Sequence, residues 1–119
     1  MTESKLQAEI YSWFNNEYCL KFHEPRLIIH STPNGGYRNK MEAMTMKATG
    51  LLAGVADLTI KLPNSIFIDV EVKTQVGKQS NSQIEYEQRI KKLNGNYIVV
   101  RSLEEFKEKI IPLIDKYIK

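Results

Sequence analysis

The sequence predicts an α/β fold in which helices flank a mixed sheet. Three observations indicate this class: an amphipathic segment near the start, two strand-like segments joined by a short turn at 63–65, and a helix–strand–helix succession over the last forty residues. The order helix, strand, hairpin, helix, strand, helix is typical of an α/β domain. With 119 residues, we expect one domain over 1–119 with one modest core.

The first half of the chain predicts a helix, a strand and a long connection. Residues 3–18 form an amphipathic pattern whose apolar stripe is Leu6, Ile10, Trp13 and Phe14. Residues 26–30 predict a short strand. The connection over 32–54 is rich in Gly, Asn and Thr, and loops of this length are usually functional or disordered. Within it, residues 42–47 have room for one or two helical turns.

The middle of the chain predicts a hairpin of strands 56–62 and 66–73. Its second strand alternates, so that one face carries the β-branched residues and the other carries the charged ones. The apolar face consists of Ile66, Ile68, Val70 and Val72, and the opposite face of Phe67, Asp69, Glu71 and Lys73.

The last third predicts two capped helices around a strand. Ser80 and Gln83 have the spacing of a capping box, and the helix they open should end near Asn94 and Gly95. Residues 97–100 are an uninterrupted apolar run, which we expect to be a central, buried strand. A final helix follows Ser102, and Pro112 is expected to kink or divide it.

The charged face of the alternating strand suggests chemistry. Residues two apart on a strand lie roughly 6.5–7 Å apart and point the same way, so Glu71 and Lys73 can flank one phosphate. Antiparallel pairing across the short turn can bring Asp57 close to Glu71. Two carboxylates suit Mg²⁺, which activates water and polarises a phosphate, while Lys73 stabilises developing charge. The alternative is that these charges merely solvate an exposed strand face.

Further motifs accompany these three residues along most of the chain. They are Thr32–Gly36 with Arg38, Lys47 and Gly50, Gly54–Asp57, Glu71–Thr74, Ser80–Gln83, and Gly95–Ser102. Together they resemble the VRR-NUC family of the PD-(D/E)xK nuclease superfamily, and their order is similar to that of stand-alone viral and bacterial members. Two positions depart from the family pattern: Ala56 replaces the usual proline, and Ser102 replaces the second arginine of the Val-Arg-Arg run.

The resemblance implies a restriction-endonuclease-like αβββαβ core and a DNA endonuclease that depends on Mg²⁺ or Mn²⁺. It assigns Asp57, Glu71 and the Val72 carbonyl to the metal. It assigns Lys73 to catalysis and Gln83 to support of the site. The capping box offers an alternative, purely structural role for Gln83.

The family also implies a glutamate from the first helix. We favour Glu3, which falls within the arc of the apolar stripe, over Glu9, which lies at its edge. An acid at a helix N-terminus is also favourable without any catalytic role. Asp69 stays open as a peripheral ligand, a salt-bridge partner or an edge-strand charge.

The expected partner is DNA, and branched DNA is one of the expected substrates. The net charge of +3 neither demands nor excludes this. We expect phosphate contacts from the backbone of Asn34, Gly35 and Gly36, which also suit a plain turn, and from the side chains of Arg38, Lys47 and Lys78.

A small domain that acts on junctions as Holliday-junction resolvases do is expected to be a homodimer, with the first helix and the 37–53 loop as candidate interface elements. The alternatives are a non-catalytic DNA-binding module that retains the fold, and a small structural protein.

Bulk features indicate a soluble protein with no membrane segment. There is no run of about 18 apolar residues and no hydrophobic signal segment. The single cysteine, Cys19, excludes an internal disulfide and is expected to be buried. We therefore expect a cytoplasmic protein, in the host cytoplasm for a viral member.

Overall fold

The structure, a computed structural model, describes residues 1–33 and 39–118. Its helices are α1 (Glu3–Tyr18), α2 (Lys40–Ala48), α3 (Asn81–Lys92) and α4 (Leu103–Tyr117). Its strands are β1 (Ile28–Ser31), β2 (Leu58–Leu62), β3 (Ile66–Val72) and β4 (Asn96–Val100). In the chain, α2 comes between β1 and β2. Apart from this helix, the order of elements is the predicted αβββαβ followed by a last helix.

The four strands form one mixed sheet in the order β1-β2-β3-β4. The first two pairs are antiparallel, and β2 and β3 are joined by the tight turn at Pro63–Ser65. The last pair is parallel, with Val72 opposite Val100, and α3 makes the crossover that parallel strands require. The prediction of an α/β fold with a mixed sheet is confirmed.

One face of the sheet packs against α1 and α4. The predicted stripe residues Leu6, Ile10 and Phe14 are buried there, together with Phe106 and Ile110 of α4. The sheet contributes the apolar face predicted from alternation, and this layer is the main core of the protein. Cys19 is buried at its margin, as expected.

The other face of the sheet carries the charged residues of β3 and is partly covered by α3. This helix packs mainly against β4, around a small cluster of Ala56, Ile90 and Tyr97. Asp69, Glu71 and Lys73 are almost fully buried, with exposed fractions of 2%, 1% and 6%. Their burial means that they do not simply solvate an exposed strand face.

One expectation is wrong, and one of the two alternatives expected for the last helix is excluded. The strand over 97–100 is not central: β4 is at the sheet edge and pairs only with β3 among the described strands. Residues 97–100 are apolar because α3 packs on one face of the strand and α4 on the other, not because strands flank it on both sides. The final helix is not divided at Pro112, which lies on its exposed side, where water can satisfy the carbonyl that loses its partner.

Residues 40–48 form one continuous helix of nine residues, which extends beyond the predicted residues 42–47 at both ends. Asn39 caps α2 by accepting a hydrogen bond from the Glu42 N–H at 2.8 Å. None of the nine residues of α2 is buried, and Met41 and Met44 have exposed fractions of 76% and 61%. This helix therefore stands outside the core.

Within residues 1–33 and 39–118, no helix has both the length and the apolar composition needed to cross a bilayer.

Candidate active site

Asp57 stands directly before β2 and reaches the neighbouring strand. Its Oδ2 accepts a hydrogen bond from the backbone N–H of Val72 at 2.8 Å, and its carbonyl accepts one from the Thr32 N–H at 3.0 Å. The first bond ties the carboxylate to the end of β3, beside Glu71, and the second ties the backbone of Asp57 to the residue after β1. The antiparallel hairpin thus brings the two acids together, as the spacing predicted.

Glu71 has two oxygens in very different surroundings. Oε2 accepts a hydrogen bond from Gln83 Nε2 at 2.9 Å and lies 3.3 Å from Lys73 Nζ. Oε1 is buried and has no hydrogen-bond partner among the described residues. A buried carboxylate oxygen without a partner is costly, and this oxygen is therefore suited to binding a cation.

Asp57 raises the affinity of Glu71 for a proton through its charge and a hydrogen bond between the two side chains, whereas the same bond opposes the rise in the pKa of Asp57. Burial raises the pKa of Glu71 to about 7, and the Asp57 charge adds to this, while Lys73 opposes it. Burial also raises the pKa of Asp57, against the opposing effects of the Val72 N–H and Lys73. Positive charge at this point is therefore insufficient for two ionised carboxylates.

Gln83 combines the two roles proposed for it from sequence. Its Oε1 accepts a hydrogen bond from the Ser80 N–H at 2.8 Å, which completes the capping box of α3. Its Nε2 donates to Glu71. The cap therefore orients the amide, and the two interpretations are not exclusive.

Glu3 and Glu9 occupy different places. The Glu3 charge contributes to the raised pKa of Asp57, and Glu3 Oε2 lies 3.3 Å from the position of a Cβ added to Gly77. Glu9 instead lines a groove with Gln75 and Leu103. In the part of the chain that the structure describes, no three His, Cys, Asp or Glu side chains converge to hold one ion. Glu3 therefore lies at the margin of the acid pair.

A cavity beside the acids is lined by the segment before β2 and the start of α3. Lys47, Gly54, Asp57 and Gln83 are among its lining residues. Lys78 is exposed on the segment after Lys73, away from this cavity lining. The predicted phosphate-binding residues Asn34, Gly35, Gly36 and Arg38 lie outside the described residues.

Sequence reasoning missed the role of Arg101. Its Nη1 donates to the carbonyls of Thr74 and Gly77, each at 2.6 Å, and so fixes the segment that follows Lys73. Its position directly after β4, in the Val-Arg run, was the available signal. The carbonyl partners were not predictable, because they are 24 and 27 residues away along the chain.

Sequence reasoning also left the role of Asp69 open; the structure places it almost fully buried on an inner strand, with no salt-bridge partner among the described residues. Thr59 Oγ1 donates to Asp69 Oδ1 at 2.8 Å, and the Tyr86 hydroxyl donates to Oδ2 at 2.5 Å. Both oxygens are occupied, so Asp69 is a structural acceptor beneath α3.

A mixed sheet between helices, with a half-buried acid, a buried acid and a buried lysine at one end of the hairpin, fits a nuclease-type α/β domain. The model of the VRR-NUC domain family matches residues 1–104, and the chain belongs to this family. A solved structure described as a VRR_NUC domain protein is similar over 99% of this chain and 88% of its own, with a TM-score of 0.69 and 22% identity. At that identity the likeness shows the fold. No curated protein matches the sequence.

The resemblance stated from the motifs is thereby confirmed. Family membership implies a nuclease-type fold that processes DNA.

Proposed function

We propose that this protein is a divalent-metal-dependent endonuclease that hydrolyses phosphodiester bonds in DNA. The observation that carries the proposal is the buried Oε1 of Glu71, which accepts no hydrogen bond from the described residues, while Gln83 and Lys73 contact Oε2 and the Asp57 carboxyl lies close enough to interact with Glu71. We further propose that residues 1–119 act as one nuclease domain.

The donor set fits Mg²⁺ or Mn²⁺. Carboxylate and carbonyl oxygens are the ligands such ions take, and this proposal assigns them to Asp57, Glu71 and the Val72 carbonyl. The raised pKa of both acids supports the fit, because a cation would offset the burial that raises both pKa values and the Asp57 charge that raises the pKa of Glu71 further. When bound, the ion supplies Lewis acidity towards the phosphate and acidifies a water.

The remaining work falls to the side chains of the chain itself. Lys73, held by Glu71 at the end of β3, places a positive charge where the phosphate gains negative charge. Gln83 fixes the orientation of the Glu71 carboxylate. Glu3 adds negative charge at the margin of the site.

Contacts to the DNA backbone are proposed for residues around the cavity. Lys47 lines it, and Lys78 lies exposed after Lys73. Asn34, Gly35, Gly36 and Arg38 complete the proposed set. Such phosphate contacts are independent of sequence and weaken with salt.

The direct test incubates purified protein with linear, nicked and four-way-junction DNA in Mg²⁺, in Mn²⁺ and in EDTA. We expect product only with metal, and none from Asp57→Asn. Glu3→Gln should slow cutting, whereas the matched control Glu9→Gln, on the same helix, should cut like the wild type. Metal-independent binding without product on every substrate would instead favour a non-catalytic DNA-binding module.

We also propose that the protein acts as a homodimer on branched DNA, since two strands require two sites. The support is α2, whose exposed Met41 and Met44 have no place in the core. The apolar face of α1, by contrast, is used within the chain. Sedimentation equilibrium should give a dimer for the wild type and a monomer for Met41→Lys/Met44→Lys. A monomeric wild type at tens of micromolar would contradict this part of the proposal.

A further inference from the structure

Helix α3 is held by very little apolar packing, although it carries Gln83. Of its twelve residues, all of them described, only Ile90 is buried, and it lies in the C-terminal half. Ile84, in the N-terminal half, is exposed. The helix packs mainly on β4, whereas Glu71, the target of Gln83, is on β3. Among the described residues, the ring of Tyr86 is therefore the main apolar contact of the first turns of α3.

Two side-chain hydrogen bonds cross from α3 to β3. Gln83 donates to Glu71, and one helical turn later Tyr86 donates to Asp69. Residues three apart share a helix face, and residues two apart share a strand face. Because α3 returns antiparallel to β3, the later helix residue meets the earlier strand residue. The two bonds thus lie side by side and fix the same stretch of helix.

The Tyr86–Asp69 bond is well suited to be the anchor of the pair. Asp69 is fixed in the sheet by Thr59 from the neighbouring strand, with its Oδ1 at 2.8 Å from Thr59 Oγ1. Tyr86 also packs its ring against Tyr97 of β4, with the ring centroids 6.1 Å apart. Burial and the Asp69 carboxylate hold the pKa of Tyr86 above its ordinary value, so its hydroxyl stays a donor.

We propose that Tyr86 and Asp69 are positioning residues of the nuclease site, whose hydrogen bond sets α3 so that Gln83 engages Glu71 Oε2 and leaves Oε1 free. Neither residue touches the substrate. The inference rests on the proposed function, because the arrangement matters only if Glu71 takes part in cleavage.

The kinetic test is a double-mutant cycle. Tyr86→Phe keeps the ring and removes the donor, and it should lower kcat on the order of five- to tenfold, the effect of one lost hydrogen bond, with little change in KM. In a Gln83→Ala background, Tyr86→Phe should lower kcat less than about twofold, because Tyr86 acts on cleavage through Gln83. Tyr117→Phe, which removes the hydroxyl bond of a tyrosine on α4 to Asn96 without touching α3 or β3, is the matched control.

A second measurement does not depend on cleavage. The side-chain NH₂ signals of Gln83, assigned by their loss in Gln83→Ala, should move in Tyr86→Phe towards the values of a free glutamine and stay in place in Tyr117→Phe. If Tyr86→Phe loses its cooperative melt, Asp69→Asn takes its place in both experiments.

The outcomes separate the two proposals. A wild type that cuts no DNA overturns the proposed function, while the Gln83 signals still report on the coupling. Wild-type kcat and unmoved Gln83 signals in a folded Tyr86→Phe overturn the positioning role. The positioning role is also overturned if the loss of kcat in the Tyr86→Phe/Gln83→Ala variant equals the product of the two single losses. That result would show that Tyr86 acts independently of Gln83.

Discussion

The carboxylate of Asp57 accepts a hydrogen bond from the backbone N–H of Val72, 2.8 Å away. A backbone donor next to Glu71 thus holds the first acid, so the separation of the two acids is set by the hairpin rather than by flexible side chains. The same bond favours the ionised form of Asp57, against the effect of burial. The two acids are therefore held in place before any ligand binds, in surroundings whose burial disfavours their charged forms.

Glu71→Gln should abolish cation binding without harming the fold. The amide keeps the size of the side chain and removes a charge that the buried site disfavours. We expect Mn²⁺ at about a hundred times its Kd to stabilise the wild type by roughly 2.7 kcal/mol and to leave the variant unchanged. Thermal melts with and without Mn²⁺ measure this, with Glu9→Gln as the control. An equal Mn²⁺ response in Glu71→Gln would contradict the assignment.

Stability of the metal-free protein should fall as the pH rises through about 7. The pKa of Glu71 is raised to about 7 in the folded state from an ordinary 4.5, so between these values the folded chain holds a proton that the unfolded chain has lost. The free energy of unfolding then decreases with pH. The raised pKa of Asp57 acts in the same direction.

The lowered pKa values of Glu87 and Glu105 act oppositely, and only at pH values below their ordinary range. Melts in EDTA from pH 5 to 8.5 should show the decline in the wild type and a flatter profile in Glu71→Gln. Parallel profiles for the two proteins would show that Glu71 is not responsible.

Gly54→Ala should disturb the fold and the site together. A Cβ at this position would lie 2.2 Å from the Ser82 backbone oxygen and 2.8 Å from the Gln83 nitrogen, and φ is +84°. Either the segment before Asp57 or the start of α3 must move. We expect a loss of about 1–3 kcal/mol in urea unfolding, together with loss of cutting.

The matched control is Gly50→Ala, where φ is +112° and, apart from the chain neighbours, no atom of the described residues lies within 4 Å of the added Cβ. It carries backbone strain but no clash, so cutting should persist. Wild-type activity in Gly54→Ala would show that this contact does not position the site.

Arg101→Lys should loosen the segment that follows Lys73. Lysine keeps the charge but lacks the planar group through which one nitrogen of Arg101 reaches the Thr74 and Gly77 carbonyls. We expect a loss of about 1–3 kcal/mol in unfolding free energy and faster proteolysis near residues 74–77. Arg89→Lys, an exposed arginine on α3, is the control and should change neither.

Local patterns predicted much of the fold. The alternation over 66–73 predicted which side chains share a face, and the capping signals at Ser80 and Ser102 predicted where α3 and α4 begin. These features succeed because they depend on the residue and its near neighbours. The prediction that β4 is a central strand was wrong. An apolar run indicates that a strand is buried, but it does not indicate whether strands or helices bury it.

For the site, the sequence alone determined the types of group and the strand face they share: two acids and a lysine around one hairpin. The tertiary structure decided which oxygens are free. It is the packing of α3 that gives Glu71 Oε2 its Gln83 donor and Asp69 Oδ2 its Tyr86 donor, while Glu71 Oε1 accepts no hydrogen bond from the described residues. Hydrogen bonds between residues 12 and 17 apart in the chain depend on how a helix returns across a sheet, and no local pattern of residues encodes that.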